Sequence, residues 1–425
     1  MASGTSRPRG NRLNPATVRL VVAIGLEDIQ AARERIGDET RNTPIKRSTT
    51  LSRMTGSDFH LKLENFQRTG SFKVRGAINK MLSLTGEEKA RGVVAASAGN
   101  HAQGVAYAAT TVGVESHVFM PAQAAHAKVV ATKGYGAHIH LQGDDYQDAF
   151  DAAEAFCNEK GGVFVHAFDD PYIMAGQGTL GLEVLEEIPD LEVLLVPIGG
   201  GGLIGGVATA VKALKPDVYI IGVQAEGSST VAPSLQKGRV VPLDEVHTMA
   251  DGIACRKLGE LPFKAIQQHV DQVVTVDESE IAAAILFLLE RTKVAVEGAG
   301  AVTLAAAMHG HVDLTGKKTC AVVSGGNIDM TLLSRIIQRG LVKEGRIVVV
   351  ETDLNDKPGA IADFLQRLGD AKANVMDVQH DRLRTDVALH QTHVEVHVET
   401  RGPEHVAQLR KDLTAAGYDV IIQDA

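Results

Sequence analysis

The stretch "LEVLLVPIGGGGLIGGVATAVKAL" (residues 191–214) combines an apolar strand, a glycine turn and an apolar helix. Glycine tolerates positive φ and close backbone approach, and the start of a helix offers free N–H groups to an anion. Residues 193–211 carry no charge, but the glycine cluster and Pro197 indicate elements buried in protein rather than a membrane span. The sequence therefore predicts a phosphate-binding turn between a buried strand and a buried helix.

Short apolar runs recur on both sides of this stretch, separated by helical segments such as "YQDAFDAAEAFCNEKG" (146–161). Strands spaced by helices form parallel sheets with helices on both faces, so we expect an α/β fold with doubly wound sheets. The predicted strands are "GVVAAS", "SHVFMP", "AHIHLQG", "GVFVHAF", "LEVLLVPI", "VYIIGVQAE" and "KKTCAVVSGG".

The pattern changes near Gly345. A strand in "RIVVVETDL" (346–354) is followed by a helix in "DKPGAIADFLQRLGD" (356–370), where Pro358 lies near the helix start. The alternating "HVEVHVE" and the final "GPEHVAQLRKDLTAAGYDVII" complete a β-α-β-β-α-β order. We expect residues 346–425 to form a separate unit of the ferredoxin-like type.

Composition narrows the functional classes. The chain has 425 residues and a net charge of −9 without a basic stripe, which argues against a nucleic-acid partner. Its three cysteines are far apart and include no CxxC pair, so we expect reduced thiols, no disulfide framework and no zinc site. Reduced thiols also suggest a cytoplasmic protein. Residues 1–24 contain arginines but no following apolar run, which predicts a flexible tail rather than a signal peptide.

An unusual lysine lies in "ENFQRTGSFKVRGAINKM" (64–81), whose second half has apolar residues at helical spacing. This spacing places Lys73 in the opening turn, where the helix dipole disfavours a cation. Together with Arg68 and Arg75, that position favours a neutral amine, which is the nucleophilic form. The alternative is an ordinary surface lysine whose stem covers apolar neighbours.

The glycine turn also fits GxGxxG at Gly200, Gly202 and Gly205, with Glu226 at the end of the next predicted strand. A nicotinamide-dependent dehydrogenase is therefore one alternative, and a tight turn without any ligand is another. Four consecutive glycines exceed what a tight turn needs and favour a loop that wraps one phosphate group.

Four motifs together carry a resemblance to a known family. "GSFKVRGA" (70–77), "SAGNHAQG" (97–104), "GGGGL" (199–203) and "SGGN" (324–327) occur in the order that is found in serine/threonine dehydratases. The chain thus resembles the pyridoxal phosphate enzymes of the tryptophan-synthase-β fold type. This implies a catalytic region over about 25–340, with a small domain near 62–165 inserted in a larger one.

The resemblance also implies roles for individual residues. Lys73 would carry the cofactor covalently and then take the proton from the substrate α-carbon, while Phe72 would pack beside the pyridine ring. Asn100 would bind the ring hydroxyl and Ser324 the pyridine nitrogen, although core packing for Phe72 and a helix cap for Ser324 are the structural alternatives. The cofactor phosphate would bind at Gly199, Gly200, Gly201, Gly202 and Leu203.

The loop between a strand end and a helix start in the second motif would bind the substrate carboxylate. His101, at its end, has a purely structural role as the alternative to direct catalysis. The residues implied are Ser97, Ala98, Gly99, Asn100 and His101.

Two positions differ from the racemases of this fold. Ala98 stands where a second serine would act as the base on the opposite face, so racemisation is disfavoured. Glu226 resembles the head of a divalent-metal site, but the second carboxylate would align near Ala232, so no divalent metal is expected. The sequence leaves open whether a monovalent cation binds.

The C-terminal unit resembles an ACT regulatory domain, and "NDKPGAI" (355–361) resembles its ligand-binding loop. The resemblance implies an amino-acid effector, isoleucine or valine, near Asn355, Pro358 and Gly359, in a homodimer or homotetramer. The alternative is a domain that only strengthens assembly.

The activity that the resemblance implies is the β-elimination of water from L-threonine to give 2-oxobutanoate and ammonia, with some action on L-serine. Within the same family, a serine or 3-hydroxyaspartate dehydratase is the alternative. The other classes are the nicotinamide-dependent dehydrogenase and a non-enzymatic amino-acid sensor.

Overall fold

The computed structural model describes residues 11–12 and 24–424. Most of the predicted flexible tail, residues 1–10 and 13–23, lies outside the described residues. The described strands are β1 (Asn11–Arg12), β2 (Ile45–Arg47), β3 (Asp58–Leu63), β4 (Val93–Ala96), β5 (Ser116–Met120), β6 (His138–Leu141), β7 (Val163–Phe164), β8 (Val193–Pro197), β9 (Tyr219–Ala225), β10 (Gln272–Val276), β11 (Lys318–Val323), β12 (Ile347–Asn355), β13 (Asn374–Asp381), β14 (Gln391–Glu399) and β15 (Val420–Asp424).

Helices connect most of these strands, as the alternating pattern predicts. The described α-helices are α1 (Leu26–Ile36), α2 (Thr49–Thr55), α3 (Lys73–Ser83), α4 (Gly86–Arg91), α5 (Asn100–Thr111), α6 (His126–Gly134), α7 (Tyr146–Lys160), α8 (Pro171–Glu187), α9 (Gly202–Leu214), α10 (Val231–Lys237), α11 (Glu260–His269), α12 (Glu278–Phe287), α13 (Gly298–Met308), α14 (Met330–Lys343), α15 (Ala360–Asp370) and α16 (Pro403–Ala415).

Two sheets form the first unit, which ends at Asp329. The larger has the order β1-β10-β9-β8-β11-β3-β2, with parallel inner strands and antiparallel pairing only by β1 and β2 at its edges. The smaller, β6-β5-β4-β7, is entirely parallel. The prediction of an α/β fold with doubly wound sheets is confirmed.

The strand before the glycine turn is buried along its whole length. Leu194 and Val196 of β8 pack with Ile204 and Val207 of α9 in one apolar core, which explains why both segments lack charge. Among the described residues, no helix combines the length and the apolar composition that crossing a bilayer requires.

Close contacts between helices position Lys73 at the start of α3. A Cβ at Gly176 of α8 would lie 2.6 Å from the Cα of Gly76, so only two glycines allow this approach of α3 and α8. A Cβ at Gly104 of α5 would lie 3.3 Å from the backbone of Lys73. The glycines of the first two motifs therefore bring α5 and α8 against α3.

The second unit begins at Met330 and includes α14. Its sheet is antiparallel with the order β13-β14-β12-β15, which is the ferredoxin-like topology predicted from the sequence. Its core contains Val394, Val396 and Val398 of β14 together with Phe364 and Leu368 of α15. The alternation in "HVEVHVE" thus marks a strand with one buried face.

Candidate active site

A cavity lies in the first unit, where the carboxyl ends of β8 and β11 face the starts of α3 and α5. In α/β sheets, ligand pockets commonly lie outside the carboxyl ends of strands. It brings together residues from all four sequence motifs. Those residues are Phe72, Lys73, Asn100, Gly199, Gly200, Gly201, Gly202, Leu203 and Ser324.

Lys73 is the first residue of α3, and its Nζ donates to the carbonyl oxygen of Ala167 at 3.0 Å. Burial lowers the pKa of its amine, while the nearby Cys255 and Glu297 oppose the shift. The neutral amine is thus favoured, as the sequence predicts, but the main physical cause is burial rather than neighbouring arginines.

Arg75 belongs to a different, buried ionic cluster. Its guanidinium is within 2.7 Å of Glu64 and 2.5 Å of Glu183, and Lys62 lies 2.6 Å from the same Glu183. The expectation that Arg75 acts electrostatically on Lys73 is therefore wrong, because two carboxylates neutralise its charge. Arg68 instead donates to the carbonyl of Asp38 at 2.9 Å.

The glycine turn packs tightly against surrounding protein. A Cβ at Gly200 would lie 2.3 Å from the ring of Phe168, and a Cβ at Gly202 would lie 2.9 Å from the same residue. Gly201 has φ +92°, which favours glycine. Contacts with surrounding protein therefore require glycines in this turn, in addition to any requirement from a ligand.

Backbone donors are available at this turn. The first intrahelical bond of α9 runs from the Gly205 N–H to the Gly201 carbonyl at 2.8 Å, so the N–H groups that precede it have no helical partner. Burial raises the pKa of the Cys255 thiol beside this turn, and a backbone hydrogen bond from Gly200 opposes the shift. A helix start with free donors suits a phosphate group.

Asn100 forms hydrogen bonds with two other polar side chains at this site. Asn100 Nδ2 donates to Glu297 Oε1 at 2.7 Å, and Asn100 Oδ1 accepts from Asn327 Nδ2 at 2.7 Å. The Ser324 hydroxyl donates to the Ala299 carbonyl at 3.2 Å. The alternative of Ser324 as a helix cap is wrong, because α14 begins only at Met330.

The loop of Ser97, Ala98 and Gly99 follows β4 and precedes α5, where the sequence predicts it. The Ser97 N–H donates to Phe119 O at 3.0 Å, and the Gly99 N–H donates to Ser97 Oγ at 3.2 Å. These two donors are already used. The N–H groups in the first turn of α5 and the Ser97 hydroxyl are further donors for a carboxylate.

His101 is buried, and its Nε2 lies 2.9 Å from the Val165 carbonyl. Burial, with the charge of Lys73, lowers the pKa of this imidazole to about 3. A neutral ring that donates to a backbone carbonyl supports the structural alternative for His101.

Several residues of the cavity were not identified from the sequence. Glu297 is the most notable, since it is a buried acid within the apolar stretch "VAVEGAGAVTLAAAM" (294–308). A single charge in such a stretch is the signal that would have found it. The other unpredicted lining residues are Phe168, Pro197, Gly252, Ile253, Cys255 and Ala299.

Two further groups of predicted positions lie outside this cavity. Glu226 lines a separate cavity with Asp277 and Glu278, and Ala232 in α10 offers no ligand atom. In the second unit, Asn355 ends β12, and Gly359 has φ +89° at the start of α15, so the predicted regulatory residues share one turn.

The residues of the main cavity fit pyridoxal phosphate by their chemistry. It contains an amine with a lowered pKa, a helix start with free N–H groups, an amide and a hydroxyl. In the same order, these groups match the aldehyde, the phosphate, the ring hydroxyl and the ring nitrogen of pyridoxal phosphate. Glu226, the acid that a dinucleotide site would use, lines a separate cavity.

Comparison with known proteins agrees with this interpretation. The family model described as "Pyridoxal-phosphate dependent enzyme" matches residues 36–325. A relative from Thermotoga maritima, named L-threonine ammonia-lyase, is 47% identical over 94% of this chain and 99% of its own length. The processed form of threonine deaminase isoform 2 from Solanum lycopersicum superposes with a TM-score of 0.72 at 33% identity, covering 78% of this chain and 98% of that one. The maize serine racemase superposes with a TM-score of 0.71 at 36% identity, covering 76% and 99%. With the cavity and these matches together, the chain belongs to the family of pyridoxal-phosphate dependent enzymes.

Proposed function

We propose that this protein is a threonine ammonia-lyase, which eliminates water from L-threonine and releases 2-oxobutanoate and ammonia. Its similarity to the L-threonine ammonia-lyase of Thermotoga maritima extends over 94% of the chain. The observation that carries the proposal is the cavity in which Lys73, the glycine turn, Asn100 and Ser324 meet. The nicotinamide-dependent dehydrogenase loses its support, since the family match lies with another cofactor.

Pyridoxal phosphate, when bound, supplies a ring that withdraws electrons from the substrate α-carbon. The protein must then provide a base for the α-proton. Lys73 is suited to this role because burial lowers the pKa of its amine and favours the neutral form. The Ala167 carbonyl, 3.0 Å from Nζ, orients the amine within the cavity.

Other residues bind and orient. The free N–H groups at the start of α9 would hold the phosphate group, and Asn100 would donate to the ring hydroxyl. The Ser324 hydroxyl can rotate from the Ala299 carbonyl to donate to the pyridine nitrogen. A hydroxyl partner leaves that nitrogen neutral, which suits an elimination in which the leaving group departs soon after the proton.

Racemisation is the alternative suggested by the similarity to maize serine racemase. A racemase needs an acid–base group on each face of the α-carbon. Ala98 has no group that moves a proton, at the position where the racemases of this fold have a serine. We therefore favour elimination.

The test is a comparison of substrates by the purified holoenzyme. Formation of 2-oxo acid and ammonia is measured with L-threonine, L-serine and 3-hydroxyaspartate, and D-serine is measured after incubation with L-serine. We expect the highest kcat/KM with L-threonine and no D-serine. A clearly higher kcat/KM with 3-hydroxyaspartate, or steady formation of D-serine, would contradict the proposal.

We also infer that the second unit is an ACT-like regulatory domain in a cytoplasmic homodimer or homotetramer. Its ferredoxin-like sheet and the turn containing Asn355, Pro358 and Gly359 support an amino-acid effector at that turn. Calorimetry with isoleucine and with valine, combined with sedimentation, tests this inference. Absence of binding by both, with an intact oligomer, would favour a role in assembly alone.

A further inference from the structure

The side-chain amide of Asn100 is held at both ends. Its Nδ2 donates to Glu297 Oε1 at 2.7 Å, and its Oδ1 accepts from Asn327 Nδ2 at 2.7 Å. Asn327 Nδ2 also donates to the Thr69 carbonyl at 2.8 Å, which fixes the orientation of the Asn327 amide. A chain of donors and acceptors thus runs from a backbone carbonyl to the carboxylate of Glu297.

This series of hydrogen bonds determines which end of the Asn100 amide is the donor. If the Asn100 amide were turned over, its nitrogen would face the Asn327 nitrogen, and its oxygen would face the Glu297 carboxylate. Both contacts would be repulsive while Glu297 is ionised. A protonated Glu297 can donate as well as accept, so it would no longer oppose the reversed amide.

Glu297 is built into the protein rather than placed at its surface. Its side chain is buried, and its backbone N–H donates to the Gly325 carbonyl at 3.2 Å at the start of α13. A Cβ at position 325 would lie 2.2 Å from Glu297 Oε1, so a glycine there makes room for the carboxyl. Its Oε1 accepts from Asn100.

Burial and the charged groups around Glu297 bring its pKa close to neutral pH. Burial and the carboxylate of Asp251 raise the pKa of Glu297 to about 7. The hydrogen bond from Asn100 and the ammonium group of Lys128 oppose this shift, and Lys73 adds to their effect only when it is protonated. Lys128 is itself paired with Asp251, so these two charges partly cancel.

We propose that Glu297 is a positioning residue. Its carboxylate, with Asn327, holds the Asn100 amide so that the nitrogen is the donor to the cofactor's ring hydroxyl oxygen, and protonation of Glu297 loosens that hold. The inference rests on the proposed function, because it assigns the ligand of Asn100. It adds a second ionisable group to the reaction, one that acts through Asn100.

The test measures the Kd of pyridoxal phosphate by absorbance titration at pH 5.5 and pH 8.5. Glu297→Gln keeps the shape of the side chain but not the charge. A hydrogen bond to a charged group exceeds a neutral one by enough to change Kd about tenfold. We expect Kd of this variant to rise about tenfold relative to wild type at pH 8.5, and less than about twofold at pH 5.5, where both side chains are neutral.

Two further variants separate positioning from structural damage. Asn327→Ser removes the other anchor of Asn100, so the ionised Glu297 must hold the amide alone. The affinity of Asn327→Ser for pyridoxal phosphate should therefore fall more at pH 5.5 than at pH 8.5. This trend is opposite to the one expected for Glu297→Gln. Glu280→Gln is the matched control, a buried carboxylate in the first turn of α12 outside the cavity, and it should leave Kd unchanged at both pH values.

Thermal unfolding establishes that each variant is folded. If Glu297→Gln does not fold, Asn327→Ser serves as the test. A Kd ratio to wild type that is the same at both pH values, for either variant, would overturn the inference. A wild-type chain that binds no pyridoxal phosphate would overturn the proposed function and this inference together.

Discussion

The backbone N–H of Phe72 donates to the carbonyl oxygen of Ser324 at 3.1 Å. The neighbouring residues continue this pairing, since the Gly326 N–H donates to the Gly70 carbonyl at 2.9 Å and Ser71 bridges to Gly325. The motif that contains Lys73 is therefore attached directly to the motif that contains Ser324. Backbone hydrogen bonds set the distance between the proposed base and the proposed partner of the ring nitrogen.

Replacing Ser324 with alanine should weaken cofactor binding selectively. One neutral hydrogen bond contributes about 0.5–1.5 kcal/mol, so Kd for pyridoxal phosphate should rise about two- to tenfold. Thr303→Val is the matched control, because Thr303 Oγ1 also donates to a backbone carbonyl, that of Val322 at 3.0 Å, but does not line the cavity. An equal loss of affinity in both variants would contradict a direct role for Ser324.

Replacing Arg75 with methionine should destabilise the fold strongly. The change leaves the buried Glu64 without its cation and removes one of the two cations at Glu183, and breaking a buried ion pair costs about 3–5 kcal/mol. Denaturant unfolding measures this loss. Arg33→Met is the control, since its pair with Glu186 is about half exposed and should contribute less than about 1 kcal/mol. Similar losses in the two variants would contradict the account of the cluster.

The same cluster predicts sensitivity to acid. Burial alone would raise the pKa of Glu64, but the Arg75 guanidinium holds it below its usual value of 4.5. The stability from this carboxylate is therefore complete above about pH 4.5 and is lost as the pH falls through the folded-state pKa. The free energy of unfolding should fall more steeply below pH 4.5 in wild type than in Glu64→Gln. Parallel curves would show that Glu64 has no lowered pKa.

Replacing Gly200 with alanine should destabilise the glycine turn by overpacking. The new Cβ would lie 2.3 Å from the Phe168 ring, and forced contacts of this kind cost about 1–3 kcal/mol. Gly86→Ala is the control, because no atom lies within 4 Å of the added Cβ. If Phe168 causes the loss, the double variant with Phe168→Ala should be more stable than the sum of the single effects predicts. Additive losses would exclude this contact as the cause.

The sequence predicted those features that depend on local chemistry. The glycine turn, the helix start at Lys73 and the alternating strand β14 follow from residue types and spacing, and each lies where it was expected. The strand predicted from "GVFVHAF" is shorter, because β7 covers only Val163–Phe164 and the Val165 carbonyl bonds to His101 instead.

Contacts between segments that are distant in the sequence could not be predicted from it. Nothing local to Arg75 indicates that Glu183 of α8 neutralises it, and nothing local to Gly200 indicates the Phe168 ring. Glu297 was missed for the same reason, since its partner Asn100 belongs to another motif. Such pairs are defined by the packing of elements, which periodicity does not specify.

The most direct test of the central claim identifies the side chain that carries the cofactor. The holoenzyme is reduced with borohydride and digested, and the pyridoxyl-labelled peptide is sequenced by mass spectrometry, with Lys73→Ala and the exposed-surface variant Lys133→Ala in parallel. We expect the label on Lys73 in wild type and in Lys133→Ala, and no label in Lys73→Ala, whose turnover should fall at least about 10³-fold through loss of the base. A label on another lysine, or substantial activity in Lys73→Ala, would contradict the account.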